Sequence, residues 1–539
     1  MITVLKIPRI AWLVFSALAI FYIYTVSQHS INVPFSDDFH QQLHTAINLE
    51  NGSDALTAIF RQHNVHRLFT THVFTYLEHT FTGKVDLSNQ LLIAFIFLVA
   101  LAIVISSYSQ TKHRPILMLI VALIVFSPIH SAAWVGGTTQ YYALLLFGLL
   151  ALKWLDRIDH PLYLIASVLC MLLAVYSMIG GLIVPVLGSL YLLICRRVSL
   201  FPSLMWVSVS LAIGYWYLSG FSSHSNQPSI FYFMQEPGFV IEFTLRLLGN
   251  FLGTLINREF LIYLTALVTL VFLYLVIVRR HIKHFIFELD GLAFIYVLLL
   301  AGTVVAGRAG FEDQHIAYAD RYFIYTKTLW LLGFIVLSNR QQLSKHTAVV
   351  VLLLSMAYSF SMYQRELPNL KARQLEESNA MLDFIVRDNP LGLNFGNRQQ
   401  HAGRLVQQAR ELGIYTPGLL PTPSRELKYL KYTDFKDGLV LDVTHDVAID
   451  DYRYLAFTVA NQSNVHEVSL VPRGVYGPAY LLKAAALIEP TRLTPSDKRS
   501  LPASARHYEV IIDKSEYDNS QQYDIFVISL GMIGTIGTL

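Results

Sequence analysis

The N-terminal stretch RIAWLVFSALAIFYIYTVSQHSINVPFSDDFHQQLH, residues 9–44, joins an uninterrupted apolar run to a cluster of titratable side chains that begins with Asp37 and Asp38. Basic residues precede the run, as they do in a signal peptide, but no small-residue cleavage site follows it. We therefore interpret residues 10–27 as an uncleaved first membrane helix whose basic end lies in the cytoplasm. The acidic pair then follows on the opposite side of the membrane.

The composition is that of a polytopic membrane protein. The chain has 539 residues, of which 54% are hydrophobic and 14% charged, with a mean hydropathy of +0.46. Soluble domains carry about 25% charged residues. The net charge of +3 is too small to indicate a nucleic-acid partner. Cys170 and Cys195 both lie in apolar runs and do not indicate a disulfide framework.

A spanning helix needs about 20 mostly apolar residues, and the chain offers about eleven such stretches, several of them short. The short loops that hold clustered Lys and Arg all become cytoplasmic when the N-terminus is inside, and the odd number of spans then places the C-terminus outside. The predicted spans are 10–27, 90–108, 115–130, 139–155, 161–177, 180–195, 202–220, 259–278, 288–306, 321–338 and 346–362.

This topology predicts a transmembrane module, residues 1–362, and a soluble domain on the outer side of the membrane, residues 363–539. Residues 28–89 form the first outer loop of the module. The amphipathic segment 240–256 would reverse the orientation of a later basic loop if it crossed the membrane, so we predict that it lies in the outer interface.

The soluble domain is predicted to be α+β. It opens with helical patterns near residues 366–388 and at 401–412, where Gly413 ends the second helix. Short alternating runs follow, among them GLVLDVTHDVAI and YDIFVISLGM, and they are typical of strands in a β-sandwich.

The polar chemistry of the predicted outer face lies in VPFSDDFHQQLH, in RQHNVHRLFTTH at residues 61–72, and in GRAGFEDQHIAYADRY at residues 307–322. A helix over 61–72 would place His63, His66 and Arg67 on one face. Arginine can bind a phosphate through two hydrogen bonds, so we expect a lipid phosphate at this level. The alternative is that such arginines extend to lipid headgroups without a specific ligand.

The acidic pair also has two interpretations. Ser36 could cap a helix, with Asp37 and Asp38 favouring the helix dipole in its first turn. Alternatively, one carboxylate could act as a general base while its neighbour orients it. His40 and His44 have the spacing of a metal pair, but the glutamate of a zincin motif is missing, and we expect no metal site.

These elements together resemble the GT-C superfamily of integral-membrane glycosyltransferases, and within it a bacterial group that includes relatives of O-antigen glucosyl-modifying enzymes. The motifs that carry the resemblance are PFSDDF, Asn64-Val65-His66-Arg67, YSMIGGLIVP at 176–185, and GRAGFEDQHIAYADRY. Val65 departs from the acidic residue expected at that position. The resemblance covers most of residues 1–340 and does not reach the soluble domain.

The resemblance implies a GT-C-like fold and inverting sugar transfer from a polyprenyl-phosphate (undecaprenyl-type) donor to a glycan acceptor, with no cofactor and no divalent metal. It also implies a bacterial inner membrane, with the loop 28–89 and the soluble domain 363–539 in the periplasm. A small flippase and a polyprenyl-phosphate sugar synthase would be expected in the same pathway, with lipopolysaccharide modification as one setting. By the resemblance Asp37 is the base, with Asp38 as its orienting partner or the alternative base. The implied phosphate-binding residues are His66, Arg67, Arg308, Arg321 and Tyr322, and the implied sugar contacts are His40, His63 and Gln140.

Three alternatives stay open at this point. A polyprenyl-linked glycan flippase or other transporter would also be polytopic and cationic, although transporters usually carry polar residues near the bilayer midplane. An O-antigen polymerase or ligase would share the donor but transfer a glycan chain. An assembly protein could use its soluble domain to bind glycan.

Overall fold

The structure, a computed structural model, describes most of the chain. The described residues are 8–27, 29–64, 66–128, 139–195, 199–221, 232–253, 259–278, 288–310, 317, 319–341, 344–387, 390–395, 398–417, 429–435, 438–444, 454–459, 465–468, 471–472, 507–513, 523–529 and 532–538.

The chain divides into two compact units. The first comprises residues 1–30, 40–83 and 87–367, and the second comprises 31–39, 84–86 and 368–539. Two short pieces of the first loop therefore belong to the same unit as the C-terminal part of the chain. The predicted domain boundary between residues 362 and 363 stays a prediction.

The first unit is helical. Its helices, in chain order, are α1 (Arg9–Ser27), α2 (His44–Glu50), α3 (Ala55–Phe60), α4 (Phe69–Thr82), α5 (Leu87–Ser107), α6 (Arg114–Val125), α7 (Thr139–Trp154), α8 (Pro161–Ser177), α9 (Ile183–Cys195), α10 (Leu200–Leu218), α11 (Tyr232–Gln235), α12 (Pro237–Gly253), α13 (Glu259–Val278), α14 (Leu289–Arg308), α15 (Phe323–Gln341) and the first part of α16 (Lys345–Arg387).

Six helices among the described residues are long and apolar enough to cross a membrane. Large apolar side chains such as Phe201, Leu211 and Phe260 are exposed on these helices. In a soluble protein such side chains would favour aggregation, whereas in a bilayer they contact lipid. The fold is therefore that of a helical membrane protein. The number of eleven spans stays a prediction. The six helices are Arg9–Ser27, Leu87–Ser107, Leu200–Leu218, Phe260–Ile277, Leu289–Arg308 and Lys345–Leu370.

The core of the first unit lies around α7, which is buried along most of its length. Tyr296 on α14 donates its hydroxyl proton to the Leu144 carbonyl, with 2.8 Å between the oxygens. A Cβ at Gly148 would lie 2.1 Å from the Tyr296 hydroxyl, so the glycine is what allows the two helices to approach. Small residues at helix contacts are typical of packing inside membranes.

The segment predicted to lie in the interface, 240–256, corresponds largely to α12, which packs along α13. Phe243 is fully buried, and Thr265 and Thr269 of α13 donate hydrogen bonds to carbonyls of α12. Its Glu242–Arg246 ion pair, 2.8 Å long, is half-buried. The amphipathic pattern thus reflects packing against a neighbouring helix, and the predicted place in the interface stays a prediction.

The helix considered above for residues 61–72 does not extend over that whole stretch. Gln62–His63 (β1) and His66–Arg67 (β2) form a two-stranded antiparallel hairpin in which His63 is paired with His66, and α4 begins only at Phe69. Asn64 has a φ of +51°, in the left-handed region that asparagine tolerates better than other non-glycine residues. The turn at Asn64 therefore replaces the expected helical face.

The second unit begins, after its loop pieces, with the C-terminal part of α16, which is continuous through the predicted 346–362 span and 366–388 helix. Helix α17 (Gln399–Glu411) ends before Gly413, which has a φ of +72°, close to the predicted bounds. Two four-stranded antiparallel sheets follow, with strand orders β10-β9-β5-β6 and β3-β4-β8-β7. The sandwich arrangement of the sheets stays a prediction. The strands are β3 (Tyr429–Phe435), β4 (Gly438–Thr444), β5 (Tyr454–Val459), β6 (Val465–Val468), β7 (Val471–Pro472), β8 (His507–Asp513), β9 (Tyr523–Ser529) and β10 (Met532–Thr538).

Candidate functional site

The acidic pair lies in a tight turn of the second unit. The Phe35 amide donates to Asp38 Oδ2 at 3.1 Å, and the Asp38 amide donates to the Phe35 carbonyl at 3.0 Å. Ser36 has a φ of +52°, and its amide donates to the Asn394 carbonyl. Ser36 is therefore a turn residue and not the helix cap considered above; a π-helical turn starts directly after Asp38, at Phe39.

The two carboxylates have different environments. Asp38 is fully buried, whereas Asp37 is half-buried. Burial raises the pKa of Asp38 to about 8; the Phe35 amide and Arg373 act against this rise, while the neighbouring carboxylates Asp37 and Glu377 add to it. Such a separation of environments is how paired carboxylates take on different roles in acid–base chemistry.

The strand-like segment before the acidic pair is anchored by residues of the C-terminal part. The Asn32 side chain donates to the Thr416 carbonyl at 2.8 Å, and the Tyr415 hydroxyl donates to the Asn32 carbonyl at 2.7 Å. The Val85 amide, from the other loop piece, donates to the Ile414 carbonyl. The turn that holds Asp37 and Asp38 is thus fixed by residues about 380 positions later in the chain.

Sequence reasoning missed two residues beside the acidic pair, Arg373 and Glu377 on α16. Arg373 Nε lies 2.6 Å from Glu377 Oε1, and the guanidinium stacks over the Phe35 ring at 3.6 Å from its centroid. Glu377 is buried. The i, i+4 spacing of opposite charges was visible in the sequence, but it is typical of exposed helix faces, and the sequence does not reveal the burial.

The predicted phosphate-binding residues belong to the first unit. Arg308 at the end of α14 and Arg321 just before α15 both hydrogen-bond to the hydroxyl of Tyr322, and Arg321 lies 5.2 Å from the centroid of that ring. Arg308 and Arg321 are partly exposed, while Tyr322 is buried. The structure therefore brings these three residues together, although Arg308 lies 13 positions before Arg321 and 14 before Tyr322.

The hairpin residues occupy a different place. Arg67 donates from Nε to the Tyr217 carbonyl (3.2 Å), from Nη1 to the Phe60 carbonyl (3.1 Å) and from Nη2 to the Ser219 carbonyl (2.8 Å). These contacts tie the hairpin to the C-terminal end of α10, where helix carbonyls lack helical partners. All three guanidinium nitrogens of Arg67 thus donate to backbone carbonyls. Its contact with a phosphate stays a prediction.

Two of the motifs from the resemblance meet at the hairpin. The Ile179 amide, within YSMIGGLIVP, donates to His66 Nδ1 at 3.4 Å. Next to it, Tyr325 contacts the Met178 sulfur, and the Tyr141 ring lies between Tyr325 and Tyr322, at 6.0 and 6.2 Å. An aromatic row thus connects the hairpin end of the bundle with the Arg308–Arg321 pair.

Gln140 precedes Tyr141 of this row, is buried, and accepts a hydrogen bond from Thr71 at 3.1 Å. Its role as a sugar contact stays a prediction. His40 contacts the rings of His44 and His63, at 5.4 and 5.9 Å. Among the residues that the structure describes, no group of three or more His, Cys, Asp or Glu side chains is placed to hold a metal ion.

Arg61 hydrogen-bonds to His40 and His44. Its guanidinium donates to His44 Nδ1 and, at 2.7 Å, to the His40 carbonyl. The neighbouring His72 is fully buried with Nδ1 on the Ile59 carbonyl, and its pKa is lowered to about 3, mainly by burial and then by Arg61. The role of His40 and His63 as sugar contacts stays a prediction.

Val65 and residues 311–316 and 318 of the motifs lie outside the described residues.

The fold and these sites define a helical membrane protein with an acidic turn in one unit and a cationic cluster in the other. No family of proteins matches the chain by its sequence profile, and no curated protein matches it. Among solved structures, the chain is similar to the crystal structure of the Archaeoglobus fulgidus oligosaccharyltransferase in complex with Zn and sulfate, with a TM-score of 0.34 and 11% identity. The similarity covers 76% of this chain and 59% of that one, so the chain spans about three-fifths of that protein. At this distance the function has to be argued from the residues of the chain itself.

Proposed function

We propose that this chain is an inverting glycosyltransferase that moves a sugar from a polyprenyl-phosphate donor to a glycan of the cell envelope or another periplasmic acceptor. The observation that carries the proposal is the unequal environment of the adjacent carboxylates Asp37 and Asp38, in the loop that follows the first apolar helix. A partly exposed carboxylate beside a buried one suits a general base with a fixed neighbour.

In the proposed reaction an acceptor hydroxyl attacks the anomeric carbon from the face opposite the phosphate. The new bond joins the acceptor oxygen to that carbon, the bond from the carbon to the phosphate oxygen breaks, and its electron pair leaves with the polyprenyl phosphate. Asp37 takes the hydroxyl proton. Arg308 and Arg321, with Tyr322, stabilise the negative charge of the departing phosphate.

The C-terminal domain has a supporting role in this proposal. Residues 414–416 hold the segment that carries Asp37 and Asp38, so the domain positions the acidic turn and shields it or presents an acceptor to it. We propose that its two sheets pack as a sandwich, that the domain is periplasmic, and that the N-terminus is in the cytoplasm. A reporter fusion that places residues 363–539 in the cytoplasm would overturn this topology.

A second candidate is a flippase for polyprenyl-linked glycans. Lys327, within the apolar helix α15, is fully buried and donates to the Ser127 hydroxyl at 2.7 Å and the Ser127 carbonyl at 3.2 Å. An ionisable side chain inside an apolar helix is a feature of transport pathways. A polymerase or ligase would differ from the first candidate only in transferring a chain and not a single sugar.

The proposal is tested with the purified full-length chain in liposomes that contain labelled polyprenyl-phosphate sugar, with acceptor extract on the side that the C-terminal domain faces. We expect labelled acceptor from the wild type and at least a hundredfold less from the Asp37→Asn, Asp38→Asn double variant, since general-base catalysis contributes about 10²–10⁴-fold. Asp54→Asn, at an exposed helix cap of the same loop, is the matched control.

The outcomes separate the candidates. Full transfer by the double variant rules out the carboxylate mechanism. Movement of the labelled lipid to the other leaflet without any labelled acceptor identifies a flippase. Labelled products that carry a repeating glycan chain identify a polymerase or ligase.

A further inference from the structure

Asn250, near the end of α12, is a fully buried polar residue with contacts on both sides of the turn that carries Arg321 and Tyr322. Its side-chain amide donates to the Ala317 carbonyl at 3.4 Å, four positions before Arg321. Its side-chain oxygen accepts the hydroxyl proton of Thr326 at 2.7 Å, five positions after Arg321. One side chain of α12 therefore holds the chain before and after the turn.

The turn between these two contacts is short. Asp320–Tyr322 forms a single 3₁₀ turn, in which the Tyr322 amide donates to the Ala319 carbonyl at 2.8 Å, and α15 begins at the next residue. A short segment that is held at both ends has few backbone conformations left. The backbone position of Arg321 therefore depends on Asn250.

Helix α12 is a firm support for Asn250 because it packs tightly against α13. A Cβ at Gly249 would lie 2.2 Å from the Ile262 carbonyl oxygen, so the glycine permits this close approach. The Thr265 hydroxyl donates to the Gly249 carbonyl at 2.8 Å. Small residues and hydrogen bonds of this kind are typical of contacts between membrane helices. The amphipathic segment 240–256 thus presents Asn250 from a helix that is itself fixed.

We propose that Asn250 is a positioning residue for the donor phosphate: it holds the turn so that the Arg321 guanidinium meets the phosphate beside Arg308 and Tyr322. This inference rests on the proposed function for its consequence in sugar transfer. It also gives a role to α12, which lies outside the motifs of the resemblance.

Two substitutions release the turn, one from each partner of the stronger contact. Asn250→Ala removes both hydrogen bonds, and Thr326→Val removes the hydroxyl at nearly the same volume. Each should raise the donor KM about fivefold, the effect of one neutral hydrogen bond. Thr326→Ser keeps the hydroxyl and should keep the wild-type KM. A loss of folded chain alone would lower the amount of active enzyme and leave the KM unchanged.

The coupling to Arg321 is the second readout. If Asn250 acts through Arg321, Asn250→Ala has no further effect on the donor KM in a chain that already carries Arg321→Gln. The matched control is Ser167→Ala, which removes a buried hydrogen bond of the same 2.7 Å length, to the Ala151 carbonyl, and should not change the KM. Effects of Asn250→Ala and Arg321→Gln that multiply in the double variant overturn the proposal.

Hydrogen exchange measures how firmly the turn is held, without sugar transfer. In the full-length chain in detergent, the peptide of residues 319–326 should exchange about fivefold faster in Asn250→Ala than in the wild type, and at the wild-type rate in Ser167→Ala. Unchanged exchange in Asn250→Ala overturns the proposal. Faster exchange in Asn250→Ala, when the wild type transfers no sugar, instead overturns the proposed function and leaves the effect of Asn250 on the turn standing.

Discussion

At the scale of single residues, Asp38 carries the largest consequence for stability. Its carboxyl group is fully buried, and burial disfavours the charged form of a carboxyl group. Asp38 therefore keeps its proton up to a higher pH in the folded chain than in the unfolded chain. This difference links folding to pH in the range where the proposed enzyme works.

We predict that the stability of the wild type, relative to Asp38→Asn, falls as pH rises from about 4 to about 8 and is constant above that range. The sign follows because the folded-state pKa of about 8 is raised from 3.8, so the folded state binds more protons within this window. Thermal unfolding in detergent at several pH values measures it. A stability difference that does not change with pH would show that Asp38 is ionised in the folded chain.

Two of the predicted phosphate-binding arginines, Arg321 and Arg67, have different hydrogen-bond partners. Arg321 shares the Tyr322 hydroxyl with Arg308, whereas Arg67 is bonded to three backbone carbonyls. We predict that Arg321→Gln raises the apparent KM for the donor by tenfold or more, since a hydrogen bond to a charged group contributes about 1.5–3 kcal/mol.

Arg67→Ala is expected to lower the Tm, because the α10 carbonyls lose their donor. A donor KM identical to that of the wild type would remove Arg67 from the phosphate site. An unchanged donor KM in Arg321→Gln would remove Arg321 in the same way.

At the scale of elements, helices α7 and α14 pack closely in the core of the first unit. Their close packing depends on Gly148, where a Cβ would lie 2.1 Å from the Tyr296 hydroxyl. We predict that Gly148→Ala destabilises the chain by about 1–3 kcal/mol, as overpacking does. Gly302→Ala on α14 is the control, because a Cβ there meets open space and alanine favours a helix. Equal stability of the two variants in denaturant would contradict this account of the core.

The elements also show how far the sequence reaches. Apolar runs located the six long apolar helices, because a membrane-spanning helix is recognised by composition and length alone. The short helices of the first loop, among them α2 and α3, were not predicted from such runs. The hairpin at His63 and His66 was missed, because a helical spacing and an Asn turn compete over so few residues that the pattern cannot decide between them. Alternating apolar residues predicted strands in GLVLDVTHDVAI and YDIFVISLGM, where β4 and β9 lie. Strands β3 (Tyr429–Phe435) and β10 (Met532–Thr538) were not predicted.

At the scale of the whole molecule, the acidic motif could be found from the sequence, but its environment could not. The turn at Asp37 and Asp38 is fixed by Asn394 and Thr416. The pKa of Asp38 is raised mainly by burial, while Glu377 raises it further and Arg373 lowers it. These contacts join positions more than 300 residues apart, which no local pattern encodes. The sequence predicted that Arg308, Arg321 and Tyr322 lie on the same side of the membrane. It did not predict that both arginines hydrogen-bond to the Tyr322 hydroxyl.

The proposed chemistry uses guanidinium groups for the phosphate and a carboxylate for the proton. We therefore predict that treatment with EDTA leaves the rate of sugar transfer unchanged, since the positive charge at the leaving group comes from arginine. The rate is measured with labelled donor before and after chelation. A loss of transfer that Mg²⁺ or Mn²⁺ restores would show that a metal ion takes part.

The most direct test of the central claim is the configuration of the product. A polyprenyl-phosphate sugar of known anomeric configuration is supplied to the purified chain, and the new glycosidic bond is analysed by NMR. The account predicts a single sugar joined with inverted configuration, in a reaction that Asp37→Asn abolishes. A product with retained configuration, or inverted product formed at full rate by Asp37→Asn, would contradict it.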